Sequence, residues 1–311
     1  MRILARLVLS LSVVATAGTV AAVVAGSAPL AAPAMAPAVQ SWAPAATAAI
    51  HPGVETFTAG AQCTANFVFS DGTNVYLGQA AHCAGTGGNT ATDGCTSPSL
   101  PLDTPVTISG ARYPGVLVYS SWLTMQALGY SDATHLDECQ YNDLALVQID
   151  PRDVGSVNPS VPFWGGPVGL DTTGTSSGEA VYSYGNSILR LGLTVLSPKE
   201  GTSLGDGGDG WTHEVQTVTP GVPGDSGSAF LDASGEALGV LSTLDVGVPG
   251  GLTNGVGDLA HELAFLHAYS PFSAVQLVDG TQPFDPNQVP LDTTQPLDPN
   301  ALSNLQQFLG L

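Results

Sequence analysis

Positive charge is what this sequence most lacks. Six Lys or Arg stand against 26 Asp or Glu in 311 residues, a net charge of −20. Phosphate backbones and anionic lipid surfaces repel such a chain, which argues against nucleic-acid binding and against electrostatic attachment to membranes. Charged residues of either sign are also few, 10% against 43% hydrophobic. That balance excludes a disordered chain and leaves ample apolar surface for a core. Cysteine is sparse too, with four residues and no Cys-x-x-Cys pair. Neither a thiolate zinc site nor a thioredoxin-like redox site is therefore signalled. After the first 25 residues, no run is long and apolar enough to span a bilayer.

Residues 1–27 carry the marks of an export signal. Arg2 and Arg6 precede an apolar run from Leu7 to Ala25, and small residues follow at Ala25-Gly26-Ser27. A second cleavage point is offered by Ala32-Pro33-Ala34. Left uncleaved, the same segment would hold the protein at a membrane; cleaved, it implies a secreted protein. In an oxidising compartment four cysteines imply two disulfides, and three pairings are open. Residues 28–52 are rich in Ala and Pro and read as a linker or propeptide. A folded domain is expected over 53–275. Residues 276–311 read as an acidic, Pro-rich tail, in which Pro283-Phe284-Asp285-Pro286-Asn287 is echoed by Pro296-Leu297-Asp298-Pro299-Asn300. Leu302, Leu305 and Leu309 would give the tail a short amphipathic terminal helix.

Between these ends lie short β-prone runs separated by Gly, Asp, Asn, Ser and Pro. They are 66–69, 74–77, 115–119, 144–149, 180–184, 193–196 and 237–241. Short strands at this spacing predict an all-β barrel or sandwich. One helix is expected after them: Asp258 can cap it, Leu259, Leu263 and Leu266 form its apolar stripe, and Pro271 stops it.

Three short motifs carry chemistry. In Gly224-Asp225-Ser226-Gly227-Ser228, glycines around a serine allow a tight turn that projects the hydroxyl. The backbone N–H groups of Gly224 and Ser226 would then converge on a developing oxyanion. Ala80-Ala81-His82-Cys83 ends an apolar run with a histidine, the base such a serine needs. Asn142-Asp143-Leu144-Ala145-Leu146 sets an acid at the mouth of a buried-looking strand, where it requires a partner such as an imidazole N–H. Each motif alone has an ordinary reading as a turn, a surface histidine or a strand end.

Together, in the order His, Asp, Ser, they resemble the chymotrypsin-like serine proteases. The likeness is strongest to the exported actinobacterial branch, where a segment like Ala61-Gln62-Cys63-Thr64-Ala65-Asn66-Phe67-Val68 precedes the histidine strand by a similar interval. The resemblance implies a double β-barrel, with His82 and Asp143 from the first barrel and Ser226 from the second, and with the C-terminal helix after them. It implies disulfides Cys63–Cys83 and Cys95–Cys139, and a Ser242 hydroxyl bonded to the buried aspartate. Gln79 stands where the family usually has Thr or Ser, so it is expected in the surroundings of Asp143. Pro220 would lie at the floor of the substrate pocket and Thr243 and Leu244 along its wall, favouring small or medium apolar side chains. No Ile-Val-Gly-Gly-like start is visible, so activation by a new amino terminus is not assumed.

The function expected is thus a secreted, monomeric serine endopeptidase acting on protein or peptide, without cofactor or metal. An inactive binding protein on a protease scaffold is the alternative, and an esterase using the same triad is a third. Two apparent metal motifs are set aside. His261-Glu262 lacks the second histidine of a metalloprotease helix, Phe265 standing in its place. The loop Asp206-Gly207-Gly208-Asp209 offers too few side-chain ligands for Ca²⁺.

Overall fold

The computed structural model describes residues 40–88, 91–248 and 251–290. The proposed signal segment, the second Pro-rich repeat and the expected terminal helix lie outside the described residues. Among those that are described, no helix is long and apolar enough to cross a membrane.

The chain is mostly β and divides its strands between two sheets. The first comprises β1 (Glu55–Thr58), β2 (Ala61–Thr64), β3 (Val68–Ser70), β4 (Val75–Ala80), β5 (Pro105–Ile108), β6 (Gly115–Ser120) and β7 (Leu144–Gln148). The second comprises β8 (Ala180–Tyr184), β9 (Pro198–Gly207), β10 (Thr212–Val218), β11 (Ala229–Leu231), β12 (Ala237–Val248) and β13 (Gly251–Asp258). A late strand, β14 (Gln276–Leu277), returns to the first sheet. Helices α1 (Ser121–Leu128) and α2 (Leu136–Tyr141) lie between β6 and β7, and α3 (Leu259–Tyr269) follows β13.

The expected pair of closed barrels is found only in part. The second sheet closes, in the order β10-β13-β12-β11-β8-β9. The first remains an open sheet of order β14-β3-β4-β7-β6-β5-β1-β2. β2, at one end of this order, and β3, next to the other end, are consecutive in the chain, and the crossing between them at Ala65–Phe67 is not a ladder. Asn66 N–H donates to the Gly78 carbonyl at 2.9 Å, and Gly78 N–H donates to Phe67 at 2.9 Å. The Asn66 carboxamide fills the space over Gly78, where an added Cβ would fall 1.9 Å from Asn66 Oδ1. The outer edge of β3 is taken by β14.

The run 193–196 is not a strand but a 3-10 turn over Thr194–Leu196. Leu191 (φ +52°) and Gly192 (φ +71°) adopt left-handed conformations just before it. Leu189, Leu191 and Leu193 are all exposed, so no core rewards an extended conformation here.

One apolar cluster runs across both sheets. Phe67, Tyr76, Ala80 and Leu146 from the first pack with Ala229, Leu231 and Val240 from the second and with Leu259, Leu263 and Leu266 of α3. β4 is buried along its whole length because one face serves this seam and the other the core of its own sheet. The helix begins as its sequence suggests, with Asp258 Oδ1 accepting from His261 N–H at 2.7 Å.

Both flanking segments are bound more closely than their composition implies. Within the stretch read as a linker, Ile50 is fully buried and Ala43 N–H donates to Val157 at 2.8 Å. In the stretch read as a tail, Asp285 N–H donates to Trp164 at 2.8 Å. There Phe284 meets Tyr182 edge-on, with ring centroids 5.3 Å apart.

Cationic side chains divide cleanly. Arg190 and Lys199 are buried, whereas Arg112 and Arg152 are largely exposed. Arg152 clamps Asp150 through Nε and a terminal nitrogen, at 2.8 and 2.6 Å, and lies 3.3 Å over the Tyr113 ring.

Candidate active site

His82 sits in the short 3-10 turn Ala81–Ala84 that ends β4, and Asp143 stands immediately before β7. Because β4 and β7 pair Ala80 with Leu144, the two residues emerge side by side at the seam. His82 Nδ1–H donates to Asp143 Oδ2 at 2.6 Å, and the His82 backbone N–H donates to Oδ1 at 2.8 Å. A carboxylate can only accept, so the ring proton belongs on Nδ1 and Nε2 is left as a base. Ser242 Oγ–H donates to the same Oδ2 at 2.6 Å. Burial pulls the His82 pKa down, but the Asp143 charge and hydrogen bond outweigh it and hold it above the ordinary histidine value.

Behind Asp143 lies the glutamate of the His261-Glu262 pair. Glu262 of α3 is fully buried, and its Oε1 accepts the Asp143 backbone N–H at 2.9 Å. Burial pushes its carboxyl well above the usual carboxylate range, and the charges of Asp143 and Asp258 push the same way. Gln79 does not join this group. Although its backbone pairs with Ala145, its carboxamide donates to Thr58 Oγ1 of β1 at 3.3 Å.

The Ser226 loop is docked against the histidine side. Thr64 N–H donates to the Ser226 carbonyl at 2.8 Å, and Thr64 Oγ1–H donates to the Gly224 carbonyl at 2.8 Å. Gln62 Nε2–H adds a third bond to Gly224 at 3.1 Å. Gly227 has φ +88°, and an added Cβ would lie 2.5 Å from the Thr64 carbonyl oxygen and 2.9 Å from Ala80 N, so only glycine fits. Gly224 has φ +96°. Among the described residues, the N–H groups of Gly224 and Ser226 have no internal acceptor. Disulfides Cys63–Cys83 and Cys95–Cys139 brace the strand beside the loop and the helix before Asp143.

Asp225, next to the serine, is fully buried and unannounced partners neutralise it. Arg190 forms an ion pair with it, and Lys199 Nζ lies 3.0 Å from Oδ2. Burial raises the Asp225 pKa, but the two cations outweigh that and keep it below the ordinary value. Burial lowers Lys199 to about 8. Asp225 Oδ1 also accepts Ser187 N–H at 2.9 Å and Oδ2 accepts Val222 N–H at 3.1 Å, fixing the turn that leads into Ser226.

His213 forms a second buried cluster beneath α3. Its Nδ1 meets Asp206 Oδ1 at 2.7 Å and its Nε2 meets Asp258 Oδ2 at 3.0 Å. The Asp206 loop, set aside as a weak calcium motif, thus supplies an ion-pair partner. Burial lowers the His213 pKa, but its two aspartates reverse that and raise it. A histidine raised on folding contributes stability that is full below its unfolded pKa of about 6.5 and is lost as pH climbs through the folded value. His213→Gln is therefore expected to lower the melting temperature by several degrees at pH 6, with the gap narrowing towards pH 9. Thermal melts across that range, read as the difference from the natural chain, check it.

Among the described residues, the one group able to bring three ligand atoms together for a metal is Cys63, His82 and Cys83, and both sulfurs are committed to the disulfide.

Residues 63–240 match the family defined by a trypsin-like peptidase domain, and the chain belongs to that family. Solved structures with a similar fold include Thermobifida fusca protease A, 16% identical over 75% of this chain and 100% of that one, with a TM-score of 0.47. A Nocardiopsis protease is 17% identical over 73% of this chain and 98% of that one, with a TM-score of 0.45. Cellulomonas bogoriensis chymotrypsin is 18% identical over 74% and 98%, with a TM-score of 0.44. No curated protein sequence matches the chain.

Proposed function

We propose that this protein is an exported serine endopeptidase that hydrolyses peptide bonds through an acyl-enzyme on Ser226. The observation that carries the proposal is the His82–Asp143 pair, bonded at both ring and backbone, together with a serine loop bonded to β2 of the same sheet. Ser226 Oγ attacks the scissile carbonyl as His82 Nε2 takes its proton, and the imidazolium then protonates the leaving amine. Asp143, steadied by Ser242, fixes the tautomer and stabilises the imidazolium. The Gly224 and Ser226 amides receive the oxyanion, a contribution of roughly 3 kcal/mol each to the barrier. Water then enters and the same steps run in reverse to free the acid. In this reading the open sheet and the closed barrel act as the two lobes of a double β-barrel, the two disulfides suit an oxidising compartment outside the cell, and the working form is a monomer acting on protein or peptide.

Labelling with a fluorophosphonate probe tests the reading. A single adduct on Ser226, absent from Ser226→Ala, is the expected result. Folded protein that takes no label would instead make the chain a binding protein on a peptidase scaffold.

A further inference from the structure

The edge of β12 changes character beside Ser226. β11 covers it only from Ala237 to Val240, and the Gly227 N–H closes on Leu241 at 2.7 Å. Beyond that point β12 pairs with β13 alone among the described residues, so the strand through Leu244 is uncovered on its other side. An extended peptide can add to such an edge as a further strand. In the reading proposed above, with its carbonyl at Ser226, the residue on the acyl side of the scissile bond would direct its side chain between the loop 220–224 and this edge.

That gap is already occupied. Asn254 of β13 is buried, and its carboxamide joins the two walls. Oδ1 accepts the Gly221 N–H at 2.8 Å, while Nδ2–H donates to the Gly221 carbonyl at 3.2 Å and to the Thr243 carbonyl at 3.0 Å. There is no slack around it. A Cβ on Gly221 would fall 2.7 Å from Leu241 Cδ2 and 2.9 Å from Asn254 Nδ2. The floor also carries no available charge. Residues 219–224 and 241–244 contain no ionisable side chain, and Asp225 is consumed by Arg190 and Lys199. Both donors of Asn254 are spent on backbone carbonyls, so nothing remains to compensate a buried substrate ammonium or carboxylate.

From this juxtaposition we infer that Asn254 is the specificity-determining residue of the site, closing the pocket and restricting cleavage to bonds that follow small uncharged residues such as Gly, Ala and Ser. The inference rests on Ser226 being the nucleophile and adds to that reading the class of substrate. It also relocates the size limit from the wall residue Leu244 to the floor.

Cleavage of a mixed peptide library by the full chain, read by mass spectrometry, is the test, with fluorophosphonate labelling run in parallel. The natural protein should cut after Gly, Ala and Ser. Asn254→Ala should raise kcat/KM for Leu or Phe at that position at least tenfold relative to Ala, since one methylene of pocket space is worth about 10- to 200-fold. Should Asn254→Ala fold poorly, the natural protein's own profile decides. Ser226 that labels while the protein cuts mainly after Phe, Leu, Arg or Glu overturns the role of Asn254 and leaves the nucleophile standing, as does a folded Asn254→Ala with an unchanged profile. Ser226 that does not label overturns both.

Discussion

Replacing Asp143 by Asn is expected to lower kcat/KM about 10⁴-fold, the loss seen when the acid of such a triad is neutralised in other proteases. The cause lies in the tautomer. Asp143 Oδ2 receives both the His82 ring proton and the Ser242 hydroxyl, each at 2.6 Å. A carboxamide there can turn its NH₂ towards Nδ1, which moves the ring proton to Nε2 and removes the base that the proposed mechanism requires. A second readout distinguishes this from misfolding. Asp143 is what holds the His82 pKa above the ordinary value against burial. The proposed mechanism needs neutral His82, so activity is expected to fall as pH drops through that raised value. Without the carboxylate the acid limb of the profile should move to lower pH, which pH–rate curves on the residual activity would show. An unmoved limb would mean that another group controls it.

Asp225→Ala should lower the stability by about 3–5 kcal/mol, because it strands two cations in a dry site. At about 2–4 °C per kcal/mol for a chain of this size, melting should come roughly 10 °C earlier. Lys199→Met is the informative contrast. Asp225 keeps Arg190, the backbone bonds from Ser187 and Val222 remain, and a buried ammonium with a pKa already down near 8 is replaced by an apolar chain. That variant should be close to neutral at pH 7, and it should lack the gain in stability that deprotonation of Lys199 gives above pH 8. Chemical denaturation of both variants at pH 7 and pH 9 measures the difference. Equal losses for the two would show that Lys199, and not Arg190, is the main counter-charge.

The parts of the site that could be read from sequence are those written locally. A serine between glycines, a histidine ending an apolar run and an aspartate opening another each fit in five residues. The structure brings His82 and Asp143 into contact and docks the Ser226 loop beside them. The supporting groups were hidden because their meaning is set by partners far along the chain. Glu262 lies 119 residues from Asp143, Arg190 lies 35 from Asp225, and His213 lies 45 from Asp258. Seen singly, each is an ordinary charged residue. Asn254 is hidden for the same reason, since its role depends on Gly221 and Thr243 arriving on either side. Composition misled at the ends. Ala- and Pro-rich texture resembles a linker whether or not Ile50 and Phe284 find a groove, and burial is a property of the groove. The run at 193–196 shows the converse, a good strand pattern with nothing to pack against.

The disposition of the four Lys and Arg side chains in residues 40–290 bears on how this chain would fare against enzymes that cut after Lys or Arg. Enzymes that cut after Lys or Arg need that side chain extended into their own pockets. Here Arg190 and Lys199 are interior, which leaves Arg112 and Arg152 as candidate sites on the surface. Arg152 is already gripped by Asp150 and laid on Tyr113. Nicking at Lys199 would require opening of β9, and at Arg190 withdrawal of its side chain from Asp225, so both would track the population of opened chain. Among the described residues, a surface with so few basic side chains offers such enzymes little to grip.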